Sequence, residues 1–194
     1  MPEIKLACDC GKVKGSTQCM TAKSGNRLTC CCSDCQAFAL YLEGLGRGNA
    51  EPILDQFGAT DIFQMPVSKL SIETGLEQLA CVRLTQKGMY RWYAKCCNTP
   101  IGNTMGANMP FIGVVHNFMQ HQTSRVDEIG KNRAYVQTHE MKSKIPKALK
   151  GSSSKAILRS IYKLLCWKVQ GLHQPSVFFN LDGSPIVIPF IRNT

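Results

Sequence analysis

Runs of four to eight apolar-rich positions, broken by Gly, Ser, Thr and Asn, dominate the first two-thirds of the chain and predict strands there. Ile4–Lys14 and Arg27–Cys32 read as short strands separated by a polar loop, Gly15–Asn26. Ser33 stands where it can cap a short helix through Tyr41, ended by Gly44 and Gly46. From Thr60 the alternation is that of β structure: Asp61–Met65, Leu70–Glu73, Gln78–Thr85 and Met89–Lys95 are strand-length, with Gly75 and Gln86-Lys87-Gly88 as turns. Two consecutive hairpins are the shortest way to connect these four. Phe111–Phe118 is a further apolar strand.

The pattern changes after Gln120. A polar, Lys-rich stretch leads to Gly151-Ser152-Ser153-Ser154, a helix-capping linker. In Lys155–Gln170, Ile157, Leu158, Ile161, Leu164, Leu165 and Val169 recur at helical spacing, which predicts one amphipathic helix whose apolar face packs on the β region. Ser176–Asn180 and Ile186–Ile191 flank a turn at Leu181–Pro185 and predict a final hairpin. The fold class is therefore mainly β with a few helices. The division is a β domain over residues 1–120 and a basic extension with the amphipathic helix over 121–194, packed on the same domain.

Composition narrows the class. The chain has 194 residues with 44% hydrophobic and 19% charged side chains, enough to bury a core without disulfide staples. No run approaches the length of a membrane span and the first residues lack the apolar core of a signal peptide, so the expected address is cytoplasmic. Two features stand out: 11 cysteines, and a net charge of +10. Between Ser124 and Gln170 there are 11 Lys/Arg and three acids, so most of the positive charge lies there, whereas ten of the cysteines precede residue 100.

Thiolates bind zinc tetrahedrally, and proteins present them on short Cys-x(n)-Cys knuckles. Cys8-Asp9-Cys10-Gly11 is one knuckle, with Gly11 letting the backbone turn; Cys30-x-Cys32-x-x-Cys35 is a second, ending at a helix start whose dipole favours thiolates; Cys96-Cys97 is a third. In a cytosolic chain such clusters read as metal sites or reactive thiols before disulfides. The isolated Cys19, Cys81 and Cys166 read as small buried hydrophobes.

The order Cys8-x-Cys10-Gly11-x-Val13-x-Gly15, Cys30-x-Cys32-Ser33-x-Cys35, Arg91-x-Tyr93-x-x-x-Cys97-x-Thr99-Pro100-Ile101 resembles the glutathione-dependent formaldehyde-activating enzyme family, which includes centromere protein V. The resemblance covers roughly residues 4–118 and implies a zinc-bearing, Mss4-like β fold of stacked antiparallel sheets. It further implies a structural zinc held by Cys8, Cys10 and Cys97, and a catalytic zinc held by Cys30, Cys32 and Cys35 with an open fourth position. The sequence departs from the family pattern at four places. Ala94 replaces the first Cys of the late knuckle, which leaves Cys96 as the candidate fourth ligand; Cys31 stands at the family His, Gln36 at an Arg and Asn98 at a Gly.

Two functions follow. In the first, the chain is a carbon–sulfur lyase acting on thiol adducts of small aldehydes, glutathione-type thiols being the partner and zinc the cofactor, with Cys30, Cys32 and Cys35 as catalytic ligands. His116 and His121 are candidate acid/base groups, and Asp34 caps the helix. In the second, zinc is purely structural and the basic segment contacts an anionic partner, nucleic acid or an acidic membrane surface. A thiol redox sensor using Cys96-Cys97 or Cys31 ranks last, because vicinal cysteines form strained disulfides.

Overall fold

A computed structural model describes residues 3–18, 20–47, 50–141 and 144–192. Cys19 lies outside the described residues. In chain order the elements are β1 (Ile4–Ala7), β2 (Lys14–Thr17), β3 (Asn26–Cys30), α1 (Ser33–Gly44), β4 (Thr60–Met65), β5 (Leu70–Thr74), β6 (Leu79–Arg83), β7 (Tyr90–Ala94), β8 (Thr99–Thr104), β9 (Ile112–Val115) and β10 (Met119–Gln120). They continue with α2 (Arg125–Ile129), β11 (Tyr135–Val136), α3 (Lys147–Lys150), α4 (Ser153–Val169) and β12 (Phe190–Ile191). The fold is mainly β, built from two sheets in the orders β10-β1-β2-β5 and β11-β3-β4-β9-β8-β7-β6-β12. Among the described residues, no helix is long and apolar enough to cross a membrane.

The small sheet is antiparallel throughout, whereas the large one is antiparallel inside and parallel at both outer pairs, β11 with β3 and β12 with β6. Ile4, Leu6 and Leu70 from the small sheet meet Phe63, Met65, Trp92, Ile101, Ile112 and Val114 from the large one in a single buried cluster. Trp92 lies at its centre, its indole N–H donating to Thr104 Oγ1 at 2.9 Å, and Phe178 packs on its ring at 4.9 Å between centroids. The opposite face of the large sheet is covered by α1, whose Phe38, Ala39 and Leu42 pack on Val82, Tyr93 and Val115.

Several expected elements differ. Ile4–Lys14 is two strands, not one, because the Cys8–Val13 knuckle reverses the chain: Gly11 takes φ +73° and its N–H donates to Cys8 O at 2.8 Å. The expected polar loop consequently begins with strand residues Gly15–Thr17. Asp61–Met65 and Leu70–Glu73 do not form a hairpin. Pro66 and the single 3-10 turn after it pass the chain to the other sheet, so β4 pairs with β3 and β9 while β5 pairs with β2. Helix α1 is not capped by the Ser33 side chain; Cys32 holds the cap position without a side-chain bond, and the Glu140 carboxylate accepts from Ser33 N at 2.6 Å instead. Strand β8 has no signal in the apolar pattern, because its Pro100, Gly102 and Asn103 are strand-averse; Pro100 fits where the β7–β8 register shifts.

The C-terminal hairpin is likewise reduced. Its turn forms, with Asn180 N donating to Ser184 O at 2.8 Å, but only one bridge, Phe179 to Pro185, links the arms. Phe178 and Phe179 turn inward onto Trp92, and Phe190–Ile191 pair in parallel with β6. Burial of two aromatic rings outweighs the few ladder bonds that a hairpin would add.

Helix α4 forms as expected, capped by Ser152, yet it is rotated from the expected orientation. Its buried residues are Ala156 and Trp167, and its apolar stripe faces outward. The surface beneath it is polar: Asn26 Nδ2 donates to Ser160 Oγ at 2.9 Å, Ser160 Oγ donates to Gln64 Oε1 at 2.7 Å, and Arg159 and Lys163 donate to the backbone carbonyls of Lys23, Ser24 and Gly25. The polar side of α4 supplies donors to these acceptors, and Gln64 Oε1 also accepts from Asn26 Nδ2 at 3.0 Å.

Candidate metal centres

Two groups of cysteines converge among the described residues, both drawn from the first half of the chain. In the first, the β1–β2 knuckle carries Cys8 and Cys10, and the β7–β8 turn carries Cys96 and Cys97. All four Sγ atoms lie within 4.8 Å of one another. Individual separations are 3.6 Å for Cys8–Cys10, 3.8 Å for Cys8–Cys96, 3.3 Å for Cys10–Cys96 and 3.8 Å for Cys96–Cys97. Four sulfurs each about 2.3 Å from a central ion are about 3.8 Å apart at the corners of a tetrahedron, so the group has the size a metal ion requires.

The local backbone explains the convergence. Val13 N donates to Cys8 Sγ at 3.2 Å, which fixes the first knuckle around its sulfur. Adjacent side chains diverge on a strand, but Cys96 and Cys97 sit in a tight turn in which the N–H groups of Cys97 and Asn98 both donate to Ala94 O. Asn98 closes that turn at φ +59°, a left-handed conformation that explains why glycine suits this position and why Asn is tolerated. Cys10 is exposed, and the backbone N–H of Lys12 holds its thiol down at about 7, whereas burial pushes the Cys8 thiol up.

The second group is Cys30 at the end of β3, Cys32 at the cap of α1 and Cys35 in its first turn, again with sulfurs within 4.8 Å of one another. Cys30 and Cys32 lie 3.4 Å apart. Among the described residues this group holds three sulfurs. Cys31, fully buried between them in sequence, does not join; extended backbone sends its side chain to the opposite side, where burial and the nearby Asp55 carboxylate push its thiol up to about 12. Within the trio, hydrogen bonds from Cys30 and Cys35 hold the Cys32 thiol well below its ordinary value, and the same bond pushes Cys30 up. Three thiolates cannot coexist at this spacing without a cation to offset their repulsion.

Arg91, 2% exposed on β7, faces this trio. Its Nη1 is 4.0 Å from Cys35 Sγ and 3.3 Å from Asn103 Oδ1, and its Nη2 is 3.1 Å from Asp34 Oδ2. Asp34 thus pairs with Arg91 and does not cap the helix. The candidate acid/base histidines are placed elsewhere: His116 Nδ1 is 3.3 Å from Asp61 O and its Nε2 3.2 Å from Pro52 O, while His121 pairs with Glu128 at 2.8 Å. Neither joins a cysteine group. His116 lines a cleft of about 460 Å³ whose charged walls are paired internally, Arg27 with Asp61 at 2.7 Å and Arg125 with Glu51 at 2.7 Å. Of the isolated cysteines, Cys81 is buried as expected and Cys166 only partly.

A family described as being of unknown function, DUF6151, has a sequence model that matches residues 2–188. The chain belongs to the DUF6151 family. No curated protein matches it. Among solved structures, a structural-genomics crystal structure of a Rhodobacter sphaeroides protein shares 17% identity over 66% of this chain and 96% of that one, with a TM-score of 0.44.

In this DUF6151 chain, three participants have no readable role in the sequence. Arg91 was visible only as part of a motif, because its proximity to Cys35 depends on β7 lying under α1. Asn103 sits on a strand without a strand pattern. Glu140 reaches the N-terminus of α1 from 107 residues away, beside Cys32. The clustered cysteines were all legible, since each knuckle carries its thiols within a few residues.

Proposed function

We propose that this chain is a zinc protein with two unlike centres. Cys8, Cys10, Cys96 and Cys97 form a closed structural site, and Cys30, Cys32 and Cys35 form a site that can accept an exogenous thiol. The observation that carries this reading is the difference in donor number among the described residues, four sulfurs in one group and three in the other. All-sulfur tetrahedral donor sets suit zinc, and the resemblance to the formaldehyde-activating family favours it over an iron–sulfur centre.

The corresponding activity is that of a carbon–sulfur lyase on thiol adducts of small aldehydes. The thiol sulfur adds to the carbonyl carbon and the proton leaving sulfur ends on the carbonyl oxygen; the reverse reaction breaks that carbon–sulfur bond. A zinc ion bound by the trio supplies Lewis acidity and stabilises the thiolate form of the incoming thiol. The chain's own residues prepare that environment. Cys32 and Cys35 occupy the N-terminal end of α1, where the helix dipole favours anionic sulfur, and the Arg91 guanidinium adds positive charge beside Cys35. Asn103 and Asp34 fix the guanidinium, so its charge stays directed at the sulfurs.

Cobalt substitution tests the reading. The cobalt-loaded protein is expected to change its visible spectrum on adding glutathione, and Cys32→Ser to reduce that response. A spectrum of two four-thiolate centres indifferent to added thiol would instead assign both ions a structural role and favour a non-catalytic binding module.

A further inference from the structure

Among the described residues, the outward stripe of α4 is left largely uncovered. Leu158, Ile161, Tyr162, Leu165 and Val169 recur at i, i+3, i+4, i+7 and i+11, one side of the helix, and are 50–88% exposed. The buried side of the helix is held by Ala156, Trp167 and the donor bonds of Arg159, Ser160 and Lys163, so α4 cannot roll to bury the stripe without breaking those bonds. An apolar arc of this length on a surface helix marks an interaction site.

Charge identifies the occupant. Lys155 and Lys168, both exposed, flank the arc on its two sides, Lys168 Nζ also donating to Asn108 O, and α3, which leads into the helix, adds exposed Lys147 and Lys150 around an exposed Leu149. From Met141 to Leu181 the sequence holds eight Lys/Arg and no Asp or Glu. A second copy of the chain would bring the same unrelieved positive charge against itself. A nucleic acid would use the lysines but leave the leucines in water. We propose that this face of α4 docks on an anionic lipid bilayer: the helix lies in the plane of the interface, its leucines enter the acyl boundary, and the lysines on either side reach the lipid phosphates.

The test uses the full chain in flotation with phosphatidylcholine vesicles that contain or lack phosphatidylserine. The protein is expected to float with the anionic vesicles and not with the neutral ones, and to be released by salt. Leu158→Ser combined with Leu165→Ser is expected to weaken binding about tenfold or more, and Lys155→Glu about tenfold. All three positions are exposed, so circular dichroism should show an unchanged fold. No flotation at low salt overturns the proposal, as does a leucine double variant that floats like the parent. Self-association abolished by the leucine variant, without lipid binding, would assign the face to a second copy, and binding of an oligonucleotide but not of vesicles would assign it to nucleic acid; either overturns the proposal.

Discussion

The Nη1 atom of Arg91 lies 4.0 Å from the Sγ of Cys35, a contact made across 56 residues of sequence by packing α1 on β7. It joins the three-cysteine trio to the sheet. The guanidinium is buried, stacked 5.6 Å over the Phe38 ring, and fixed by Asn103 and Asp34. The four-cysteine group has no such cation among the described partners of its sulfurs, being held instead by backbone N–H groups and by Thr99 Oγ1, 3.1 Å from Cys97 Sγ. A neighbouring cation suits the role proposed for the trio, which is to accept an additional anionic sulfur.

Replacing Arg91 tests this assignment. Arg91→Met should lower the metal affinity of the trio while leaving the four-cysteine group loaded, and should cost about 2–3 kcal/mol of stability because Asn103 loses its buried donor. Arg91→Lys keeps the charge without the planar fork and should recover metal affinity only in part. Zinc titration with a chromogenic chelator, alongside urea denaturation, separates the two effects.

The two centres should differ in their dependence on single ligands. The protein as purified is expected to carry two zinc ions per chain, and chelation should unfold the β region, since closed sites contribute folding free energy. Cys10→Ser or Cys96→Ser should lose one ion together with much of the fold. Cys32→Ser should lose the other ion and stay folded. Elemental analysis paired with circular dichroism reads both, and equal collapse in the two classes of variant would contradict the division into unlike sites.

Asn98 provides a backbone test. At φ +59°, Asn98→Val should destabilise the protein by about 1–2 kcal/mol from left-handed strain, to which loss of the bond from Asn98 Nδ2 to Leu45 O adds. Asn98→Gly should be near neutral, because relief of strain is offset by loss of the bond from Asn98 Nδ2 to Leu45 O, 2.9 Å long. Thermal denaturation of the zinc-loaded variants gives the comparison.

Glu128 contributes a pH dependence outside the metal centres. Burial raises the carboxyl, but the N–H groups of Thr123 and Gln122 and the His121 ring outweigh burial and hold it below its ordinary range. Since the folded value is the depressed one, its stabilisation is present above the unfolded carboxylate range and is lost as pH falls through the folded value. Glu128→Gln should therefore flatten the acid limb of the stability–pH curve, measured by urea midpoints below neutral pH.

The sequence by itself determined the cysteine knuckles, the β-rich class and the existence of α4, because each of these is a local pattern: ligands two or three residues apart, apolar runs of strand length, and a helical repeat with a serine cap. Tertiary structure decided which knuckles share a centre. Cys8 and Cys96 meet across 88 residues only because the β1–β2 and β7–β8 turns lie side by side, and Cys96 joins Cys97 because the turn at Asn98 folds two neighbours toward one point. Packing also decided the orientation of α4. Its apolar stripe was legible in the sequence, yet the part-buried carbonyls of Ser24 and Gly25 and the amides of Asn26 and Gln64 take hydrogen-bond partners from α4, which turns the polar side inward. Periodicity specifies that a helix has two faces; which one is buried depends on the surface that distant parts of the chain present to it.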